Sequence, residues 1–151
     1  MSSLPPPTSM EARLRDASRS GVFYAQPTAA IRAARVADEA GLLLIGLDLK
    51  DTRDRAGILQ VFAATCGFPE TFGQNLDALG DCLGDLSWMP QGGYLLHLSG
   101  CAKPVEHCKD DFDAIIAVLE DASAEWRERN TPFWVLIDQP NTRARPFMAS
   151  A

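Results

Sequence analysis

The sequence lacks the short motifs that mark most common enzyme classes and has no segment suited to a membrane. It contains no Gly-rich nucleotide loop, no His-Glu-x-x-His zinc helix, no nucleophile elbow and no Cys-x-x-Cys redox pair. The longest apolar run, residues 41–47, is far shorter than the roughly 18 residues expected of a membrane span. Residues 1–16 contain no apolar segment of signal-peptide type. We therefore expect a cytoplasmic protein that does not contact a membrane.

Residues that commonly ligate metals through sulfur or imidazole are scarce. The chain contains six of them: Cys66, Cys82, His97, Cys101, His107 and Cys108. Cys101 and Cys108 with the two histidines could be drawn as a zinc site, but their spacing matches no standard ligand pattern. We predict reduced thiols, no metal and no other cofactor, with Cys82 a small buried hydrophobe.

Basic residues are rare in one part of the chain. Residues 70–128 hold 12 acids and three bases, a balance of −9, whereas the rest of the chain holds 8 acids and 11 bases, a balance of +3. Nucleic-acid binding needs Lys and Arg to neutralise phosphates, so this acidic part disfavours it. It is suited to a basic protein partner.

Length and composition predict a single domain. The chain has 151 residues, of which 46% are hydrophobic, enough for one sizeable core and too few to favour two. Residues 1–20, rich in Pro, Ser and charge, are expected to be a disordered tail. Residues 21–138 are expected to form the domain and residues 139–151 a loose C-terminal tail. Within the domain, residues 21–41 are expected to add a strand and a helix at one edge of the sheet.

Strand-like and helix-like segments alternate, which predicts an α/β fold with parallel strands. The continuous apolar run 42–49 is typical of a strand buried on both faces. We predict a sheet of three or four strands flanked by helices. The expected strands are 21–25, 42–49, 93–98 and Phe133–Ile137. The expected helices are 28–40 capped by Thr28, 53–65, a short one after Asn75, and 110–129.

The short helix after Asn75 is predicted to have two opposed faces. Asn75 is a good N-cap, and leucines at 76, 79, 83 and 86 form an apolar face. On another face Asp77, Asp81 and Asp85 recur every four residues, and such like-charge pairs cost about 0.2–0.5 kcal/mol each. Gly80 and Gly84 each cost about 1 kcal/mol relative to Ala in a helix. Nothing within the helix offsets these costs, whereas a positively charged partner would.

The same residues carry a family resemblance. Residues 68–79, FPETFGQNLDAL, followed by Asp81-Cys82-Leu83, resemble the signature of the barstar family, intracellular inhibitors of barnase-type ribonucleases. The match is ungapped through Pro90 and extends more loosely over about residues 42–138. It implies a small parallel sheet flanked by helices, and a non-enzymatic inhibitor that plugs the basic active site of a ribonuclease. Such an inhibitor protects an organism that exports the nuclease.

The resemblance also implies site residues. Asp81 would stand in for the scissile RNA phosphate, and Asp77 would pair with arginines at the edge of the cleft. Asp121 and Glu125, one turn apart on the last long helix, would extend the negative patch. The remaining contact candidates are Asn75, Thr71, which stands where barstar has an aromatic, and Gly80, which stands where barstar has a tryptophan.

Two other readings of the acidic helix stay open. Interfaces draw much of their energy from buried aromatics, so Thr71 and Gly80 favour a different basic toxin or regulatory protein as the partner. Alternatively, Asp77 and Asp81 could be the paired carboxylates of a hydrolase or metal enzyme. That chemistry usually needs a cleft and a nearby base or nucleophile, and the sequence offers only acids on an exposed helix. We predict a binding protein, monomeric when free, and no enzyme.

Overall fold

The computed structural model describes residues 9–70, 72–89, 91–141 and 143–147, which form an α/β fold as predicted. The helices are α1 (Met10–Arg15), a 3-10 turn (Ala17–Arg19), α2 (Pro27–Ala37), α3 (Arg55–Cys66), α4 (Leu76–Asp85) and α5 (Ala102–Glu128). The strands are β1 (Val22–Tyr24), β2 (Leu43–Asp48), β3 (Tyr94–Ser99), β4 (Phe133–Ile137) and β5 (Arg145–Pro146).

Within the described residues the five strands pair in parallel in the order β2-β3-β4-β1-β5. The prediction of three or four strands was one short, because β5 has only two residues and carries no periodic signal. β5 pairs with β1, with Phe23 opposite Arg145. We had expected the added strand β1 at the edge of the sheet. It lies instead between β4 and β5.

Both faces of the sheet are covered, and β4 at its centre is buried throughout. Phe133, Val135 and Ile137 point into the larger core cluster beneath α3, α4 and α5. Trp134 and Leu136 point into a second cluster with α1 and α2. A strand in this position reads as an unbroken apolar run, which is why its bounds could be predicted from the sequence.

The prediction that residues 42–49 form a strand buried on both faces was wrong in one respect. β2 is an edge strand, and its residues alternate between buried and exposed. Ile45 and Leu47 enter the larger core, whereas the Leu44 side chain on the opposite face is 44% exposed. An apolar residue on the exposed face removes the alternation by which a half-buried strand is recognised.

Parts of both expected tails pack against the sheet where the structure describes them. α1 packs onto the second cluster through Met10 and Leu14, and the indole of Trp134 donates a hydrogen bond of 2.9 Å to the carbonyl of Leu14. At the other end Phe147 is buried against Phe23, with ring centroids 5.9 Å apart. The two segments cover one face of the sheet because the apolar residues that stand between their polar ones are buried there.

Helix α5 begins at Ala102, eight residues before the predicted start. Cys108 has non-helical angles, φ −152° and ψ 56°, so the helix is kinked close to the position where the apolar periodicity begins. The side chain of Asp138, just after β4, accepts hydrogen bonds from the backbone of Gly100 and Cys101 at 2.8 and 3.0 Å. This carboxylate fixes the start of α5 against the sheet. Helix α2 likewise starts at Pro27, so Thr28 does not cap it.

Candidate acidic groove between α4 and α5

Helix α4 forms as its sequence predicts. The Oδ1 atom of Asn75 accepts a hydrogen bond of 2.8 Å from the backbone of Ala78, and its Nδ2 atom donates one of 3.4 Å to the carbonyl of Gly73. Leu79 and Leu83 are fully buried in the larger core. Both polar atoms of Asn75 are thus used locally, so its observed role is to start the helix.

The loop before α4 is held by aromatic packing. Phe68 contacts Phe72 edge-on with centroids 4.9 Å apart, and the Trp88 indole donates a hydrogen bond of 2.8 Å to the carbonyl of Cys66 at the end of α3. Gly67 ends α3 in the left-handed conformation, φ +66°. These contacts fix where α4 begins. The predicted contact residue Thr71 lies outside the described residues.

Four of the predicted carboxylates converge on one groove. Asp77 and Asp81 of α4 and Asp121 and Glu125 of α5 are exposed and line a groove of about 510 Å³ between the two helices. Gly80, also predicted, lies in its floor opposite Val118. No basic residue of the described chain lines this groove. The fold thus brings the pair on α4 and the pair on α5, which lie 40 to 48 positions apart in sequence, into one acidic surface, which we call the acidic groove.

The walls of the acidic groove are tied together at the end of α4. Trp126 of α5 and Arg129, directly after its last residue, donate hydrogen bonds of 2.7 and 2.8 Å to the carbonyls of Leu83 and Gly84. The Arg129 guanidinium also lies 4.3 Å from the centroid of the Trp126 ring. These side chains donate to carbonyls that a helix end leaves without backbone partners. The positive charge of Arg129 at this end of α4 also interacts favourably with the helix dipole. Periodicity along the sequence could not reveal these contacts.

The glycines of α4 have a partly structural explanation that the sequence did not give. A Cβ atom at Gly84 would lie 3.4 Å from a carboxylate oxygen of Glu125, and one at Gly80 would lie 3.6 Å from Val118. The first contact is tight and the second is ordinary van der Waals contact. Gly84 therefore gives room to the Glu125 carboxylate, whereas the packing at Gly80 would accept a methyl group.

The acids of the groove are not neutralised within the described residues. No side chain of the described chain forms an ion pair with Asp77, Asp81, Asp121 or Glu125. The pKa of the neighbouring Cys82 thiol is raised, first by burial and then by the negative charges of Asp81 and Asp85. Asp85 accepts a hydrogen bond of 3.2 Å from Ser87 and lines an adjoining hollow with Arg129, outside the main groove.

The residues drawn as an alternative zinc site are not arranged as one. Among the described residues, no three His, Cys, Asp or Glu side chains have the arrangement of a metal site. The Cys101 side chain is buried and contacts the carbonyl of Leu98 at 3.4 Å. Burial lowers the pKa of His97, against an opposing effect of Asp138. Also within the described residues, no helix combines the length and apolar character needed to cross a membrane.

The sequence profile of the family described as Barstar (barnase inhibitor) matches residues 28–138, well over half of the chain. The chain belongs to the barstar family. The match includes α4, α5 and all four groove carboxylates, and confirms the resemblance drawn from residues 68–83. The matched range starts at residue 28 and so includes most of α2.

Comparison with individual proteins adds little to the barstar assignment. No curated protein matches the chain significantly by sequence. One similar solved structure is the ORC2 protein of Aeropyrum pernix in its ADPNP–ADP complexes, with 16% identity and a TM-score of 0.46. The alignment covers 92% of this chain and 38% of that protein. A similarity of this degree carries no argument about function.

Proposed function

We propose that this barstar-family chain is a non-enzymatic inhibitor that binds a basic ribonuclease of the barnase type in the cytoplasm and blocks its active site. The observation that carries the proposal is the convergence of Asp77, Asp81, Asp121 and Glu125 on one groove without a basic neighbour in its lining. A ribonuclease cleft is basic because it binds RNA phosphates. The four carboxylates match that charge.

The mechanism is occlusion combined with charge complementarity. Complementary potentials speed association and penalise wrong partners. The barnase–barstar pair is the reference example of this effect. On α4, Asp81 lies between Asp77 in the acidic groove and Asp85 in the adjoining hollow, each one helical turn away. Truncating such a residue leaves charges of the partner unpaired, which can cost several kcal/mol.

One observation favours a second candidate, a barstar-fold binding protein for a different basic toxin or regulatory protein. The described lining of the acidic groove contains no aromatic side chain, and Gly80 stands where the barstar family has tryptophan. An interface with barnase itself would lack that anchor. A partner with a protruding basic side chain would fit the open groove better than a flat surface.

Paired-carboxylate catalysis has less support. Asp77 and Asp81 are exposed on α4, and neither a histidine nor a cysteine of the described chain lines the acidic groove. A hydrolytic site needs a positioned base or nucleophile in a cleft that excludes water. We therefore assign the carboxylates to binding.

The test is titration of purified barnase with this protein, measuring RNA cleavage and binding heat at low and at moderate salt. We expect stoichiometric inhibition that weakens as salt rises, because part of the binding is electrostatic. Asp81→Ala should weaken inhibition at least tenfold without lowering the unfolding midpoint, because it removes two like-charge pairs from α4. Glu106→Ala, which removes an equal charge from an exposed site on α5 outside the groove, is the matched control.

Absence of inhibition at both salt concentrations would exclude barnase and favour the second candidate. That partner would be sought by capture on the parent protein, with Asp81→Ala as the negative control. Equal capture by both proteins would overturn the assignment of the acidic groove.

A further inference from the structure

A second pocket lies on the other side of Asp121, and its character is opposite to that of the acidic groove. It has a volume of about 290 Å³ and lies where the end of α5, the start of β1 and the segment leading into β5 meet. Three arginines are among the residues that line it, Arg127, Arg143 and Arg145. The chain as a whole carries a net charge of −6, so a gathering of three arginines needs an explanation.

Two of these arginines are held in place by neighbours that leave donors free. Arg127 donates one hydrogen bond of 2.7 Å to the carbonyl of Ser20, which uses one of its five N–H groups. Arg145 lies over the Phe23 ring, 5.1 Å from the centroid, so its N–H groups remain at the edges of the guanidinium plane. A Cβ atom at Gly21 would lie 4.0 Å from the Arg145 guanidinium, which places this group over the backbone of Gly21.

The remaining polar groups of the pocket limit its net charge. Glu120 and Asp121 also line it, and Glu120 lies 3.9 Å from Arg143. The charges of this pair nearly cancel, so the remaining charged side chains of the pocket are Arg127, Arg145 and Asp121. The C-terminal end of α5 adds a partial negative charge. The hydroxyls of Ser20 and Ser123 donate to backbone carbonyls, so the arginines supply the side-chain donors available to a ligand.

We propose that this arginine pocket binds a phosphate group. Arg127 comes from α5, whereas Arg143 lies in the turn before β5 and Arg145 is the first residue of β5, so donors approach from different directions. A tetrahedral phosphate presents oxygens in several directions, whereas a planar carboxylate is satisfied by one guanidinium. The pocket is also larger than a phosphate ion, with room for part of a phosphomonoester. This inference does not depend on the proposed function.

The test is a titration of the full chain with inorganic phosphate at constant ionic strength, followed by NMR of the backbone amides. We expect saturation with a dissociation constant on the order of 1 mM, as suits a site of small net charge. The shifts should centre on residues 20–22 and 143–146. Arg145→Gln should weaken binding at least fivefold. Arg32→Gln, which removes an equal charge from an exposed site on α2, should not.

Further arms distinguish the ligands and protect against misfolding. Adenosine monophosphate should bind at least as tightly as inorganic phosphate if phosphomonoesters are the source of the group, and more weakly if free phosphate is. Acetate binding as tightly as phosphate would overturn the assignment. So would unsaturated shifts, or equal loss of affinity in Arg145→Gln and Arg32→Gln. Arg127→Gln provides a second variant, and the thermal unfolding of each variant shows that it is folded.

Discussion

The indole nitrogen of Trp126 in α5 lies 2.7 Å from the carbonyl oxygen of Leu83 in the last turn of α4. The Trp126 ring also stacks parallel to Phe133 of β4, with centroids 6.4 Å apart. One side chain therefore joins the sheet to both walls of the acidic groove. The carboxylates of α4 keep their position relative to those of α5 through this contact and through the Arg129 bond to Gly84.

Trp126→Phe is expected to destabilise the protein by about 1–3 kcal/mol, because the buried Leu83 carbonyl loses its partner. Urea denaturation measures the loss. Hydrogen exchange should also become faster at the α4 amides. The matched control is Trp134→Phe, which removes a similar bond to Leu14 on the opposite face of the sheet. It should destabilise the fold without a selective effect on α4, and equal acceleration of α4 exchange in both variants would contradict the assigned role.

Much of the fold could be predicted from the sequence because its signals are local. The β4 run, the Asn75 cap and the buried leucines of α4 each follow from neighbours within a few residues. Apart from the misjudged starts of α2 and α5, the errors concern long-range contacts. The sequence of α1 resembles a polar tail, and only the contact between Leu14 and Trp134, 120 positions away, shows that it packs on the sheet. Strand β5 has too few residues to form a pattern.

The acidic groove was predictable in part, for the same reason. Asp77 and Asp81 stand out because their four-residue spacing is costly within one helix. Linking them to Asp121 and Glu125 required the family resemblance, since nothing local connects the two helices. The Trp126 and Arg129 contacts that hold the groove together have no sequence signal, because Trp126 also fits the apolar stripe of α5. The arginine pocket was missed because its three arginines belong to segments with no shared periodicity.

Gly80→Ala is expected to stabilise the protein by about 1 kcal/mol. Alanine is the better helix former by roughly that amount, and the new methyl would meet only Val118 at 3.6 Å. The gain should appear as a higher urea midpoint. Gly100→Ala is the contrasting variant: Gly100 has φ +67° and its Cβ would lie 2.6 Å from the Lys50 backbone nitrogen, so it should destabilise the fold. A loss of stability in Gly80→Ala would show that α4 and α5 pack more closely than described.

Stability is expected to fall at alkaline pH. Burial raises the pKa of the Cys66 thiol to about 12, and burial with help from Asp138 raises that of Cys101 as well. Thiols in the unfolded chain ionise near pH 8.5, so between that pH and about 12 the unfolded state binds fewer protons than the native state. The stabilisation is complete below pH 8.5 and is lost as the pH rises.

The two thiols together should lower the free energy of unfolding by up to about 3 kcal/mol between pH 7.5 and 9.5. Urea titrations under reducing conditions at the two pH values measure this difference. Cys66→Ala should reduce it by up to about 1.4 kcal/mol, whatever the variant costs at pH 7.5. An unchanged pH difference in Cys66→Ala would show that its thiol ionises as readily in the native state as in the unfolded state.

Leu14→Ala provides a direct test of the N-terminal segment. The side chain is fully buried between α2 and the sheet, so truncation should leave a cavity and cost about 2–5 kcal/mol. Arg15→Ala, a change at an exposed neighbour whose ion pair with Glu11 and hydrogen bond to the Glu39 carbonyl both lie on the surface, should cost less than about 1 kcal/mol. Equal, small losses in both variants would mean that residues 10–15 do not pack on Trp134 in solution. A loss of stability in Leu14→Ala alone would show that the domain core includes a segment whose composition is that of a tail. Such a segment packs because the burial of a few apolar side chains outweighs the polar residues around them.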